Sequence, residues 1–581
     1  MVQMQQNEEK DCREIILSES TGDYFIRFDG GIELAQERFQ PDCIEVINSK
    51  FAVLYYKLSE IEQREFRQRR YRYPAFPRCF TLQDRSSMEA AGINKVHRQP
   101  YLDLLGQGVL IGFIDTGIDY TNELFRYADG TSRIVSIWDQ TIQTGTPPPR
   151  LYYGTEYKRE EINRALQSED PLSIVPTQDE SGHGTFMAGI AAGNNDQEHD
   201  FTGAAPLSEI VMVKLKPAKR LVREYYFIRE DAECFQENDI ALGVRYLLDV
   251  VRRELKPMVI CINLGTNMGG HDGSGVLDQV LNDIADTNWI CVVTASGNEA
   301  GYRTHYRYVD KDSERFKDVE MRVGSNIQGF SLEFWAGKLQ QYYLEIISPS
   351  GEISIRVGQR EDENEEIRFL FDRTIVFADA ISTGMFSGDQ LILLRFERPA
   401  AGIWTLRCYP RRNVKGYFDI WLPIQEFLWG EMYFLEPDPN ITITDPGNTS
   451  LPITVAGYDH ISGAIYIHSG RGYTRNGCIK PDLAAPAVNV EGPGVNGEFV
   501  RRTGTSIAAA HVAGAAALLM QWGIVEENQL TMSSTNIRVL LVRGATRGGR
   551  DYPNPEWGYG TLDVYNAFEQ LRNTTFDMRI T

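Results

Sequence analysis

Arg502 to Gln521 reads RTGTSIAAAHVAGAAALLMQ, and the fold turns on how this stretch is understood. Gly504-Thr505-Ser506 reads as a tight loop delivering a hydroxyl to the first turn of an Ala-rich, apolar helix. Side chains this small let a helix lie deep in a core. A serine placed there sits beside backbone N–H groups that lack intrahelical partners and can stabilise developing negative charge. Taken alone, Ser or Thr before an apolar run is more often an N-cap than a nucleophile.

Two further stretches reverse that weighting. Gly108 to Tyr120, GVLIGFIDTGIDY, is a continuous apolar run ending in Asp115-Thr116-Gly117, the pattern of a buried parallel strand running into a functional loop. Ser181 to Gly193, SGHGTFMAGIAAG, sets His183 between glycines at the head of another small-residue helix. Alone, Asp115 reads as a loop stabiliser and His183 as a structural side chain. Together, Asp115, His183 and Ser506, in that order and in these contexts, resemble the subtilase (subtilisin-like) serine proteases. The order Asp…His…Ser differs from the chymotrypsin and α/β-hydrolase orders.

The chain has 581 residues, room for two to four domains, with 42% hydrophobic and 24% charged residues. A net charge of −21 argues against non-specific binding to nucleic acid or an anionic membrane surface. The eight cysteines are dispersed, with no CxxC pair. They suggest neither a disulfide framework nor a zinc site, and Cys261 and Cys291, inside apolar runs, read as buried small hydrophobes. No acidic loop has calcium-ligand spacing, so the expectation is no metal and no cofactor. The N-terminal MVQMQQNEEKDCRE lacks the basic and apolar regions of a secretory signal, and no apolar run approaches the length of a membrane helix. Synthesis in the cytoplasm is expected.

Residues 1–83 read as a separate α+β unit: a strand at Asp23–Asp29, a short helix at Ile32–Phe39, and two strands in Cys43–Tyr56 across an Asn-Ser turn. Prolines in Pro74–Gln83 require an extended chain. This is either an ordinary N-terminal domain with a linker or, as the resemblance implies, a prodomain whose tail lies extended in the substrate cleft. In the second reading Gln83 occupies the primary specificity pocket and the chain cuts itself between Gln83 and Asp84.

Residues 84–302 and 451–581 alternate apolar strands with helices, which predicts a mostly parallel α/β sheet with flanking helices and functional groups at the strand C-termini. Strands are expected at Met258–Gly265 and Trp289–Asn298, and helices at Tyr225–Leu255, Gly273–Thr287, Asn536–Val542 and Gly560–Leu571. Between them, residues 303–450 give short alternating segments with Gly, Pro, Asn and Asp turns, among them EISIRVG, and read as an inserted all-β sandwich. Packing against and rigidifying the host domain is its expected role, ahead of a binding function.

Peptide hydrolysis needs a base for the serine proton, and an imidazole suits that role near neutral pH. The resemblance assigns His183 as that base, Asp115 as its orienting partner, and Ser506 as nucleophile. It also assigns the Asn298 side chain and the Ser506 backbone N–H to the oxyanion hole. Asn263-Leu264-Gly265 and Ala295-Ser296-Gly297 are the expected substrate-binding segments, the first pairing with substrate as an added strand edge. His511, five residues after Ser506, is read as packing. The chain departs from the family in having Ala510 and Val512 where a proline usually flanks that histidine, and Pro486-Ala487 where Pro-Gly is common.

A narrower resemblance, to the clostridial Csp germination proteases, covers nearly the whole chain. It implies a jelly-roll insert, a cleaved prodomain that stays bound, a spore-cortex hydrolase zymogen as protein substrate, and packaging in the spore. A pseudoprotease-like regulator held by its prodomain and a general intracellular protease are the alternatives.

Overall fold

In the computed structural model the apolar runs become neighbours in one sheet. The structure describes all residues except 1–11, 29–31, 60–78, 83–86, 100–101, 311–314, 361–362, 383–386, 412–415 and 578–581. The main sheet has eight strands in the spatial order Leu483–Pro486, Ile453–Tyr458, Ile290–Ala295, Met258–Ile262, Leu110–Asp115, Glu209–Lys214, Ile134–Asp139 and Thr155–Lys158. All neighbours run parallel except the last pair. Strands such as LIGFID and ICVVTA are buried at every position, because helices cover both faces of a parallel sheet.

One face carries the helices His183–Ala192 and Thr505–Met520, in which every residue is buried. They approach closely because their contact residues are small: a Cβ on Gly514 would lie 2.2 Å from Ala204 Cβ and 2.9 Å from the Ala191 carbonyl oxygen. With its continuation over Gln521–Val525, the second helix is long and apolar enough to cross a membrane, which corrects the reading that no such segment exists. However, 94% of its most apolar window is buried inside the protein, so sheet and helices supply the cover that lipid otherwise would.

The opposite face packs on Glu237–Glu254 and Val276–Ala285. Its apolar core is continuous with that of the N-terminal unit, through Ile15, Ile16, Phe25, Phe51, Val53 and Tyr55. That unit is a three-stranded antiparallel sheet, Thr21–Arg27 and Cys43–Val46 on either side of Phe51–Lys57, with the helix Ile32–Phe39. A disulfide joins Cys12 to Cys43, a pairing that dispersed cysteine spacing did not signal. Across the interface Lys219 Nζ meets Asp23 at 2.5 Å with both side chains buried, and Gln236 Nε2 donates to the same carboxylate at 3.0 Å.

In sequence, between the main-sheet strands Ile290–Ala295 and Ile453–Tyr458, which pair directly with each other, come the strands of two separate antiparallel sheets. One runs His305–Val309, Tyr417–Trp421, Gly329–Ala336, Gln390–Glu397, Thr374–Ser382, Glu363–Phe369. The other runs Tyr342–Ile347, Gly402–Pro410, Lys317–Val323, Met432–Phe434. They enclose their own core, centred on Phe334, Phe396, Trp404 and Phe418.

Two sequence expectations are corrected, and one strand went unread. The helix expected at Tyr225–Leu255 is two, Arg220–Tyr226 and Glu237–Glu254, separated by Phe227 in a left-handed conformation and a two-residue strand, Phe235–Gln236. The segment EISIRVG makes isolated bridges through Ile353 and Val357 and is no strand of either sheet. The charged run Glu363–Phe369, not expected as a strand, pairs along its length with Thr374–Ser382: an edge strand exposes one side, and polar residues fit there.

Candidate active site

Asp115 is the last residue of its strand, so its side chain emerges at the C-terminal edge of the sheet, where Gly117 turns the chain away. His183 opens its helix behind Gly182, whose φ of 71° suits glycine. The two meet directly: His183 Nδ1 lies 2.7 Å from Asp115 Oδ1, and both are buried. A carboxylate only accepts, so Nδ1 carries the hydrogen and Nε2 is left as the basic nitrogen.

Further donors fix the carboxylate. Thr116 N–H donates to Asp115 Oδ1 at 2.8 Å, and Thr116 Oγ1 bonds Asp179 Oδ1 at 2.8 Å. Asp179 in turn accepts Gly182 N–H at 2.9 Å, Thr185 N–H at 2.8 Å and the Thr185 hydroxyl at 2.7 Å. A single buried carboxylate thus ties the Asp115 loop to the first turn of the His183 helix. Sequence reading missed Asp179; its signal was an acidic residue four places before His183, in DESGH.

Ser506 lies in the first turn of Thr505–Met520, fully buried, its hydroxyl 3.3 Å from the Asn263 carbonyl oxygen. Asn298 Oδ1 accepts the Thr505 N–H at 3.1 Å and the Thr505 hydroxyl at 3.3 Å. Its carbonyl end being taken, the Asn298 amide presents its N–H2 end as donor. Gly297 N–H donates to Thr505 Oγ1 at 3.2 Å, so Ala295-Ser296-Gly297-Asn298 and the serine loop are held as one piece. Asn263 Nδ2 is buried with no hydrogen-bond partner among the described residues. Arg502 Nη2 donates to the Ser181 carbonyl at 2.8 Å, linking the serine loop to the histidine loop.

A further sheet, of three short strands, lies beside this cluster. The chain's own Cys79–Leu82 runs between Leu264–Gly265 and Phe235–Gln236, antiparallel to both. Leu82 pairs with Leu264 and Thr81 with Gly265, while Phe80 pairs with Phe235. Gln83 and Asp84 lie outside the described residues. The chain resumes at Ser87, whose N–H donates to His511 Nε2 at 2.6 Å. The reading of His511 as packing is therefore incomplete.

Burial pushes the Glu299 carboxyl, next to Asn298, up to about 8. The Glu233 carboxyl is also raised, chiefly by burial, with nearby His183 opposing the shift. Chemically the cluster offers a hydroxyl in a helix's first turn, an imidazole with an oriented tautomer, an amide donor, and an edge that takes an extended peptide.

A model of the subtilase family matches residues 106–318 and 436–560; the interval between spans most of the two-sheet insert. In three dimensions the chain is similar to the CspB protease of Clostridium perfringens, with a TM-score of 0.74 and 32% identity, covering 84% of this chain and 98% of that one. Among curated proteins it is similar to the subtilisin-like protease SBT2.2 of Arabidopsis thaliana, 33% identical over 128 residues, or 19% of this chain and 15% of that protein. It also matches a C5a peptidase of Streptococcus pyogenes, 22% identical over 504 residues, or 80% of this chain and 40% of the peptidase. The chain thus spans well under two thirds of the length of either curated relative.

Proposed function

Because the chain belongs to the subtilase family, we propose that it is a serine endopeptidase that cleaves its own N-terminal unit and then performs limited proteolysis of a protein substrate. His183, oriented by Asp115, takes the Ser506 proton as the hydroxyl attacks the scissile carbonyl, and returns it to the leaving amine. The Asn298 amide and the Ser506 backbone N–H receive the developing oxyanion. Residues 1–83 act as prodomain, 84–302 with 451–581 as protease, and 303–450 as the insert.

The observation that carries this reading is the occupied cleft. Cys79–Leu82 lies antiparallel between two edges, as a bound substrate would, and ends one residue before Gln83. Retention of the prodomain after the cut is supported by its shared apolar core and the buried Lys219–Asp23 pair. By likeness to the Csp protease, the protein substrate is a spore-cortex hydrolase zymogen, cut during germination of a spore in which the enzyme is packaged.

Intact mass spectrometry of the purified chain beside Ser506→Ala tests the proposal. The wild type should arrive as two co-purifying pieces split near Gln83, and the variant whole. If both arrive whole, the chain is better read as a regulator held by its prodomain. Incubation with the cortex-hydrolase zymogen and with casein then separates a single cut from general degradation.

A further inference from the structure

We infer that His511 is a positioning residue for self-cleavage: it holds the chain on the leaving-group side of the cut through the Ser87 N–H. This rests on the proposal that Gln83–Asp84 is the cleaved bond.

His511 lies five residues after Ser506 on the same helix, about 7–8 Å further along its axis. It is completely buried, and its Nδ1 is 2.7 Å from the carbonyl oxygen of Ile507, one turn back. That carbonyl only accepts, so Nδ1 carries the hydrogen and Nε2 has a lone pair and nothing to donate. Burial lowers the imidazole to about 3, so it stays neutral and this tautomer persists at working pH. Left alone, the buried lone pair would be an unsatisfied acceptor. Ser87 N–H fills it at 2.6 Å.

The contact gains meaning from its place in the chain. Leu82 is fixed by pairing with Leu264. Ser87 is fixed by His511, and the chain beyond is fixed as well: Met88 packs on the main core, and the Ala91 carbonyl accepts Val564 N–H at 3.1 Å. Five residue steps, at most about 18 Å of chain, separate Leu82 from Ser87, and the candidate scissile bond lies within them. Tethering both sides of a reacting bond lowers the entropic cost of reaching an attack geometry. A substrate arriving from solution has no Ser87 in covalent register with His511, so the device serves the intramolecular cut.

The test compares two rates on one sample. The full chain is made by cell-free translation and release of the 1–83 piece is followed by pulse-chase. The processed protein is then assayed on Phe-Thr-Leu-Gln-p-nitroanilide, which has no residues beyond the cut, with active sites counted by a fluorophosphonate probe. His511→Leu removes the acceptor at similar volume; the α-hydroxy acid analogue of serine placed at position 87 during cell-free translation turns the N–H donor into an ester oxygen without touching the core helix or demanding a new φ at Ser87, where φ is 154°, and so stands if the first variant fails to fold. Both should slow self-cleavage relative to chromogenic hydrolysis by about tenfold or more. His511→Gln, whose Oε1 can accept in place of Nε2, should recover part of that ratio. Equal losses in the two rates, or none in either, overturn the assignment of His511 alone. A wild type that never splits overturns the self-cleavage reading as well.

Discussion

At the scale of single residues, the site depends on carboxylates and amides whose partners leave them one orientation. Asn298 is the clearest: with Oδ1 held by the Thr505 N–H and hydroxyl, only its N–H2 end is available. Asn298→Leu should lower kcat on the chromogenic peptide by about 100- to 1,000-fold with KM little changed, since the donor acts on charge absent from the ground state. Asp179 touches neither substrate nor nucleophile in the proposed mechanism, yet ties Thr116, Gly182 and Thr185 together. Asp179→Ala frees both the Asp115 loop and the His183 turn, and should cost roughly 100-fold in kcat through misplacement. Asp179→Asn, which keeps an acceptor, should retain more activity; equal losses from both would show that charge rather than position matters. The settings of Asp115, His183, Ser506 and Asn298 were legible in sequence because each borders a run of strongly patterned residues: Asp115 and Asn298 follow apolar strands, and His183 and Ser506 open small-residue helices. The Asp179 clamp and the His511–Ser87 bond were not, since each reaches a residue far away in sequence, Asp179 to Thr116 and His511 to Ser87, and leaves no periodic trace.

At the scale of elements, two helices and their small residues decide how deep the site lies. At Gly514 the helix Thr505–Met520 has no room for a side chain, against Ala204 and the Ala191 carbonyl oxygen. Gly514→Val should destabilise the protein by about 1–3 kcal/mol through overpacking, despite the better helix propensity of valine. Thermal unfolding should show Gly514→Ala partly rescued by Ala204→Gly, which returns a methyl's volume to the same contact. The buried parallel strands were readable from continuous apolar runs, and the central sheet followed from them. Elements that serve as edges were harder. Phe235–Gln236 is two residues long and flanked by helices, so a 3.6-residue pattern ran over it. Glu363–Phe369 is charged because one side meets solvent, and hydrophobic alternation underreports such strands.

At the scale of the whole molecule, three units share interfaces that contain ionisable groups. Glu45 is buried where the N-terminal unit meets the protease, near Tyr152 and Arg245. Burial pushes its carboxyl from 4.5 up to about 7, with Tyr55 opposing. A carboxyl raised on docking favours the docked state while protonated. That contribution is whole below about 4.5 and is lost as pH rises toward 7. The dissociation constant of the cleaved 1–83 piece should therefore weaken across that window, by up to about 100-fold, and Glu45→Gln should flatten the dependence. The joining of that unit to the protease through one apolar core was not legible, because a shared core has the same composition as two separate ones.

The insert also divides the main sheet in time. Ile290–Ala295 precedes it, whereas its sheet neighbour Ile453–Tyr458, the edge strand Leu483–Pro486 and the Ser506 helix all follow. During translation Cys79–Leu82 and both of its flanking edges leave the ribosome long before Ser506 does. Under the proposed function, a nascent chain therefore closes its cleft before it carries its nucleophile, and the order of synthesis keeps a half-made enzyme harmless to the ribosome and to its neighbours.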